Sequence, residues 1–287
     1  MGLIKDNIYN PMILREKEWR QFNKNLKKTY NKSKDDLDAF VSFRMQKSKL
    51  KTSHVYIFPK LKMEKEHRSQ FKFSKIDERT SKLQFDGFSL QDVDSINHCL
   101  SNIKTQNLII DLRDCSGGDF SSILLASHFI KEEKYVGYFL GNKYYQTTQN
   151  LPTKEQLSLL KPFEGKTISD IHKAVETEGI VLAKAKPTLP FYGGKIWVLT
   201  NEDTASACEP FVEFMKTNKL ATIVGEKTSG AMLSAKAFDI NENYELYLPI
   251  GNYYTIDNFW IEQNGVKPDI ETKSDEAEKK VLELISK

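Results

Sequence analysis

Leu108-Ile109-Ile110-Asp111-Leu112-Arg113-Asp114-Cys115-Ser116-Gly117-Gly118 begins as a nearly unbroken apolar run and closes on paired glycines. Such a run is typical of a strand buried on both faces, as in a parallel or mixed sheet. Ile196-Trp197-Val198-Leu199 repeats the pattern, and each run leads into a helix-like segment. Upstream, residues 83–85 read as a strand. Ser89 then caps a helix carrying Val93, Ile96, Leu100 and Ile103. Strand-helix-strand alternation implies right-handed crossovers and a sheet with parallel members, so the fold class is α/β.

Outward from this centre the pattern changes. Toward the N-terminus, Trp19, Phe22 and Leu26 fall at helical spacing. Ser33-Lys34-Asp35-Asp36 resembles a capping-box start leading into Leu37, Phe40 and Val41. A short strand is expected at 55–58, and the charged stretch 60–79 reads as surface. The Gly-Gly turn opens a helix through Leu124 and Phe129. Residues 141–190 form a polar insertion with short helices, long enough to act as a lid or binding element. After Gly230, short alternating segments at Phe238, 244–248, 253–254 and 259–261 suggest antiparallel strands. A last helix spans about 275–285.

Composition excludes several classes. The 287 residues carry 42 basic and 39 acidic side chains, net +3, which gives no overall basic excess to favour nucleic acid. No apolar run reaches the roughly 18 residues of a membrane span. Cys99, Cys115 and Cys208 have no CxxC spacing, so neither a disulfide framework nor a zinc knuckle is supported. No basic-then-apolar leader is visible, and Asp6 breaks a myristoylation pattern. The expectation is a cytoplasmic protein, or an exported one whose leader has been removed.

Three segments carry chemistry: 110–118, Thr204-Ala205-Ser206-Ala207-Cys208-Glu209, and Ile261-Glu262-Gln263-Asn264-Gly265-Val266-Lys267-Pro268-Asp269-Ile270. Ser206 sits where a strand turns into a helix. Alone it reads first as a helix cap, since caps far outnumber nucleophiles. The same place suits a nucleophile, because free N–H groups there favour developing negative charge. Gly117 and Gly118 allow close backbone approach to a substrate, or simply a tight turn.

In order and spacing these segments, with Val224-Gly225-Glu226-Lys227-Thr228-Ser229-Gly230 between them, resemble the S41 family of serine peptidases, the tail-specific and tricorn-type proteases. The resemblance runs from about residue 83 to 270. It implies a ClpP/crotonase-like core with a mixed sheet flanked by helices, after a small N-terminal helical region at 1–52. The core would take 53–287, with 141–190 as lid.

One branch of the family uses a lysine twenty-five residues beyond the nucleophile. Here that position is Ala231, and Lys227 and Lys236 are out of register. The other branch takes a histidine from an N-terminal segment, matched here by Ser53-His54. The resemblance thus implies Ser206 as nucleophile, His54 as general base, and Glu262 with Ser53 as the groups that orient it. Ala207 and Gly117 or Gly118 would supply oxyanion N–H groups. His67, His98, His128 and His172 have no motif behind them and read as structural or surface, His128 being the most open. Glu209 reads as a brace of the first helical turn, and Asp111 with Arg113 as an ion pair or turn brace.

Two departures stand out. Cys115 replaces the family's usual Asn. Only about thirty residues separate His54 from Leu83, too few for the PDZ domain many relatives carry. Compact relatives resembling the nisin-resistance peptidase fit this plan. The implied function is a serine endopeptidase, a hydrolase cleaving peptides or unfolded and C-terminal protein segments. No metal or organic cofactor is implied. The partner is a peptide or protein substrate, without nucleic acid or a membrane span, and a homo-oligomer stays open. Two alternatives remain: a non-catalytic module binding a peptide or apolar ligand, and an ester hydrolase on the same residues.

Overall fold

A computed structural model describes residues 2–60, 70–165 and 167–286. The described strands are β1 (Tyr56–Pro59), β2 (Phe71–Lys75), β3 (Thr80–Phe85), β4 (Asn107–Asp111), β5 (Lys134–Gly141), β6 (Ile180–Ala185), β7 (Lys195–Thr200), β8 (Thr222–Gly225), β9 (Leu233–Asp239), β10 (Tyr244–Thr255) and β11 (Ile270–Glu271). They form two sheets. The first has the order β11-β8-β7-β4-β3-β2, all parallel except the edge strand β2.

Alternation along β4 explains why its middle, residues 108–110, is apolar without a break. Successive side chains point to opposite faces. Leu108 and Ile110 join Leu83, Val198, Phe211 and Met215 in the main core. Ile109 joins Trp197, Leu199 and Val224 on the other face, under Ala277 and Val281 of the helix Ala277–Ile285. Asp111 ends the strand, and Arg113 clamps it. The guanidinium donates to Asp111 Oδ1 at 2.8 Å and Oδ2 at 2.6 Å, and to the Ser274 carbonyl at 2.7 Å. This is the ion pair expected from the sequence, extended to the base of the C-terminal helix.

The second sheet is antiparallel, β1-β10-β5-β6, with β9 on the other side of β10. The helices Gly2–Asn7, Lys17–Tyr30 and Asp36–Lys47 lie over it. Ile8, Trp19, Phe22 and Phe43 share a core with Tyr138, Leu140, Leu246 and Leu248 of the sheet. Trp19 and Phe43 each meet Phe22 edge-on at 5.6 Å.

The α/β class and the mixed sheet flanked by helices are as expected, but several local readings are corrected. Of the second sheet, β1, β9 and β10 fall on expected strand segments, whereas β5 and β6 escaped the sequence because glycine or lysine interrupts them. β6 lies inside the segment read as an insertion. Residues 71–75 lie at the surface as expected, and they form an edge strand whose partner among the described residues is β3. The segments at 244–248 and 253–254 are one strand, whose register shifts between Pro249 and Gly251. Residues 259–261 make a single bridge, Tyr254 to Trp260, rather than a strand. The third helix is capped by Asp35, which accepts from the Asp38 N–H at 2.8 Å. Ser33 instead donates to the Thr29 carbonyl of the preceding helix. Leu37 and Val41 point to solvent, and Phe43 is the buried anchor. His67 lies outside the described residues.

Candidate active site

The loops that follow β4 and β7 leave neighbouring parallel strands at their carboxyl ends, the place where open α/β sheets form clefts. They are stitched together. Thr204 Oγ1 donates to the Leu112 carbonyl at 2.8 Å, Asn201 Nδ2 to Asp114 Oδ1 at 2.7 Å, and the Ala205 N–H to the Cys115 carbonyl at 3.0 Å. This fixes Ser206 against the glycine turn. A Cβ on Gly117 would lie 2.4 Å from Ser206 Cβ, and one on Gly118 would lie 2.0 Å from the Phe88 carbonyl oxygen. Both glycines also have φ in the left-handed region, +100° and +134°. A side chain is excluded at each by contact and by backbone.

Ser206 is at φ 55° and His54 at φ 54°. Non-glycine residues seldom adopt this conformation, and it tends to persist where the surroundings over-determine it. His54 arrives from the segment before β1. The buried Trp19 indole steadies that segment by donating to Thr52 Oγ1 at 3.0 Å. Glu262 arrives from beyond β10. Its loop is held by Thr228, which accepts from the Val266 N–H at 2.7 Å, and by the Gln263 N–H on the Gly230 carbonyl.

The four side chains meet in a line. The Ser53 hydroxyl donates to Glu262 Oε2 at 2.8 Å, and the Ser53 N–H donates to Oε1 at 2.8 Å. A hydroxyl has one proton to give. Ser53 Oγ, 2.7 Å from His54 Nδ1, therefore accepts from Nδ1–H. The lone pair is then left on Nε2, which faces Ser206 Oγ at 3.3 Å. That distance is at the long end of a hydrogen bond, as is common in unliganded sites. Burial lowers His54 to about 4, and the charge of Lys47 adds to the effect. Burial raises Glu262 to about 7, against the hydrogen bonds from Ser53 that pull it down.

Two backbone N–H groups beside Ser206, those of Gly118 and Ala207, have no acceptor among the described residues. The Gly117 backbone N–H favours the charged forms of the nearby Cys115 and Cys208 thiols. These buried thiols are 2.7 Å apart, with Cys208 donating. Sulfur thus occupies the place at Cys115 where the family usually has the Asn amide.

Glu209 does more than brace a helical turn. It is fully buried. It accepts from Thr228 Oγ1 at 2.6 Å, from the N–H groups of Gly230 at 2.7 Å and Ala231 at 2.8 Å, and from the Ser206 N–H at 3.2 Å. One carboxylate joins the Ser206 turn to the loop that carries Glu262. Replacing it with alanine leaves these donors unpaired. Glu209→Ala is expected to lower unfolding free energy by about 1–3 kcal/mol for each buried donor that stays unpaired, read from urea denaturation.

A cavity of about 530 Å³ opens beside Ser206, His54 and Gly118. Its walls are largely apolar: Val136, Phe139, Phe163, Ile171, Met232 and Tyr253. Several belong to β5 and to the 141–190 segment, which no local motif marked. His128 and His172 also line it, although their sequence context suggested only structural or surface roles. His128 Nδ1 is held by the Pro190 carbonyl at 2.7 Å, whereas His172 Nε2 is buried without a partner among the described residues. His98 is on the surface beside Asn102. Lys227 is exposed and Lys236 pairs with Glu176 at 2.8 Å; neither lines the cavity.

A family model, peptidase family S41, matches residues 79–272. The chain belongs to peptidase family S41. It is 35% identical over 72 residues to the carboxyl-terminal-processing protease of Synechocystis, covering 25% of this chain and 17% of that one. The match spans less than a third of the length of each of the curated relatives. A crystal structure from Parabacteroides merdae superposes with a TM-score of 0.68 at 16% identity, covering 98% of this chain and 93% of the other. The tricorn protease gives 0.59 at 13% identity, covering 98% of this chain and 34% of its own. At these identities the likeness shows the S41 fold.

Proposed function

We propose that this S41 protein is a serine endopeptidase in which Ser206 attacks a peptide carbonyl and His54 takes the serine proton. The imidazolium then returns that proton to the leaving amine, and a water repeats the sequence on the acyl-enzyme. Ser53 and Glu262 hold the Nδ1–H tautomer and stabilise the imidazolium. The N–H groups of Gly118 and Ala207 receive the oxyanion, while Gly117 makes room for Ser206. The observation that carries this reading is the unbroken chain Glu262–Ser53–His54–Ser206. Residues 53–287 would be the catalytic core beneath the helical cover 1–52. The segment 141–190 would wall the groove for an extended substrate.

The direction of this chain depends on Glu262. As a carboxylate it accepts from Ser53, and the imidazole lone pair faces Ser206. Once protonated, Glu262 can donate to Ser53, which then donates to Nδ1 and moves the imidazole proton to Nε2. The base is then blocked. The chain is productive above the folded-state value of Glu262, about 7. His54, lowered to about 4, is already neutral there. The expected profile of kcat/KM on a peptide substrate rises with pH to a plateau, with its midpoint near 7. A profile flat from pH 5 to 8 would remove Glu262 from the mechanism.

The test of the activity itself is digestion of a mixed peptide library, read by mass spectrometry, with simple esters in parallel. Cleaved peptides support the reading. Cleavage of esters alone would favour the ester hydrolase, and ligand capture without any product would favour the binding module.

A further inference from the structure

The two-helix hairpin over the antiparallel sheet has an outer face that the peptidase reading does not use. Residues 17–34 hold seven basic side chains and one acidic, a charge of +6 in a chain of net +3, so the remaining residues sum to −3. Lys17, Arg20, Lys24, Lys27 and Lys28 fall at helical spacing on the side of Lys17–Tyr30 opposite Trp19, Phe22 and Leu26. All are exposed, as are Lys32 and Lys34 in the turn, and none is in an ion pair among the described residues. Two acids at the turn are engaged with backbone: Asp35 caps the next helix and Asp38 accepts from the Lys34 N–H.

The second helix, Asp36–Lys47, adds an apolar row. Leu37, Val41 and Met45 recur every fourth residue and are 62%, 46% and 63% exposed, and Tyr30 at the hairpin tip is 67% exposed. Phe43, on the opposite side, is the buried anchor. A basic row beside an exposed apolar row, both facing away from the sheet, is the composition of a helical face that rests in a lipid headgroup layer. No helix among the described residues is long and apolar enough to cross a membrane.

We propose that the outer face of the hairpin 17–47 docks on an anionic lipid surface, the basic row on the headgroups and the Leu37–Val41–Met45 row in the interface. Charge complementarity selects this occupant. A second copy would bring its own +6 against the first, and a nucleic acid would give the apolar row nothing to bury against. The inference is independent of the chemistry at Ser206.

The test is co-sedimentation of the full chain with phosphatidylcholine vesicles, with and without phosphatidylglycerol. Each basic residue near an anionic surface strengthens binding by about fivefold. The triple variant Lys24→Glu, Lys27→Glu, Lys28→Glu should therefore bind more than about a hundredfold more weakly. Leu37→Ser with Met45→Ser should weaken binding by about tenfold, since each removes apolar area from the interface. About 1 M salt, with a screening length near 3 Å, should release the protein. All five positions are exposed, and unchanged circular dichroism confirms folding. Equal sedimentation with both vesicle types, or with neither, overturns the proposal. So does a loss of self-association on Leu37→Ser with Met45→Ser, which assigns the row to a second copy. DNA binding that survives this pair, without vesicle binding, assigns the basic row elsewhere and also overturns it.

Discussion

Ser206→Ala is expected to lower kcat on a cleaved peptide by about 10⁶-fold, and His54→Ala to do nearly the same. The double variant should be little worse than either single one. The reason is that the proposed mechanism makes the two act as a unit. A serine hydroxyl at neutral pH is a poor nucleophile until a base within hydrogen-bond reach takes its proton, and a base with no hydroxyl to serve adds nothing. Additive losses would mean that the residues work separately, which the 3.3 Å contact of Nε2 with Oγ argues against. KM should change little, because neither side chain contributes much of the cavity wall. Unfolding transitions should also be retained, since both residues are only partly buried.

The second large effect is expected at Glu262. Glu262→Gln keeps the shape of the side chain, but its amide can present N–H rather than oxygen to Ser53. Ser53 would then donate to His54 Nδ1, and the imidazole would carry its proton on the wrong nitrogen. Removing the acid of a catalytic triad while keeping its geometry costs about 10⁴-fold in kcat, and a loss of that order is expected here. The rise of kcat/KM near pH 7 should disappear in this variant, because no titrating carboxyl remains to reverse the chain. Ser53→Ala should lose less, since a water can occupy the vacated place between Glu262 and Nδ1. A Glu262→Gln variant that loses rate but keeps the pH rise would assign the rise to another group.

Much of this site was legible in the sequence because its parts are short and local. Apolar runs ending in Asp111 and Thr200 mark buried parallel strands, and the turns after them hold Gly117, Gly118 and Ser206. Ser53-His54 and Glu262 were reached through family resemblance, since nothing local distinguishes them from an ordinary surface histidine and acid. What the sequence hid is long-range. Glu209 gathers donors from residues 206 to 231, and only the folded loop shows why. Part of the cavity wall, Val136, Phe139 and Ala183, comes from β5 and β6, whose glycine and lysine interruptions break the period-two pattern that would have announced them. The family's usual Asn is replaced at Cys115 by a contact with Cys208, 93 positions along the chain, which no local pattern could reveal. Conversely, the sequence gives Leu37 and Val41 no sign of exposure beside Phe40. The helix turns them outward because Phe43 takes the inner position.

The central claim is that Ser206 is a nucleophile activated by His54, and labelling tests it most directly. The protein would be treated with a fluorophosphonate, and the adduct located by tandem mass spectrometry, beside Ser206→Ala and His54→Ala. The account predicts a single adduct on Ser206, none in Ser206→Ala, and labelling slowed by several orders of magnitude in His54→Ala. An adduct on another residue, or labelling of His54→Ala at the unmodified rate, would contradict it.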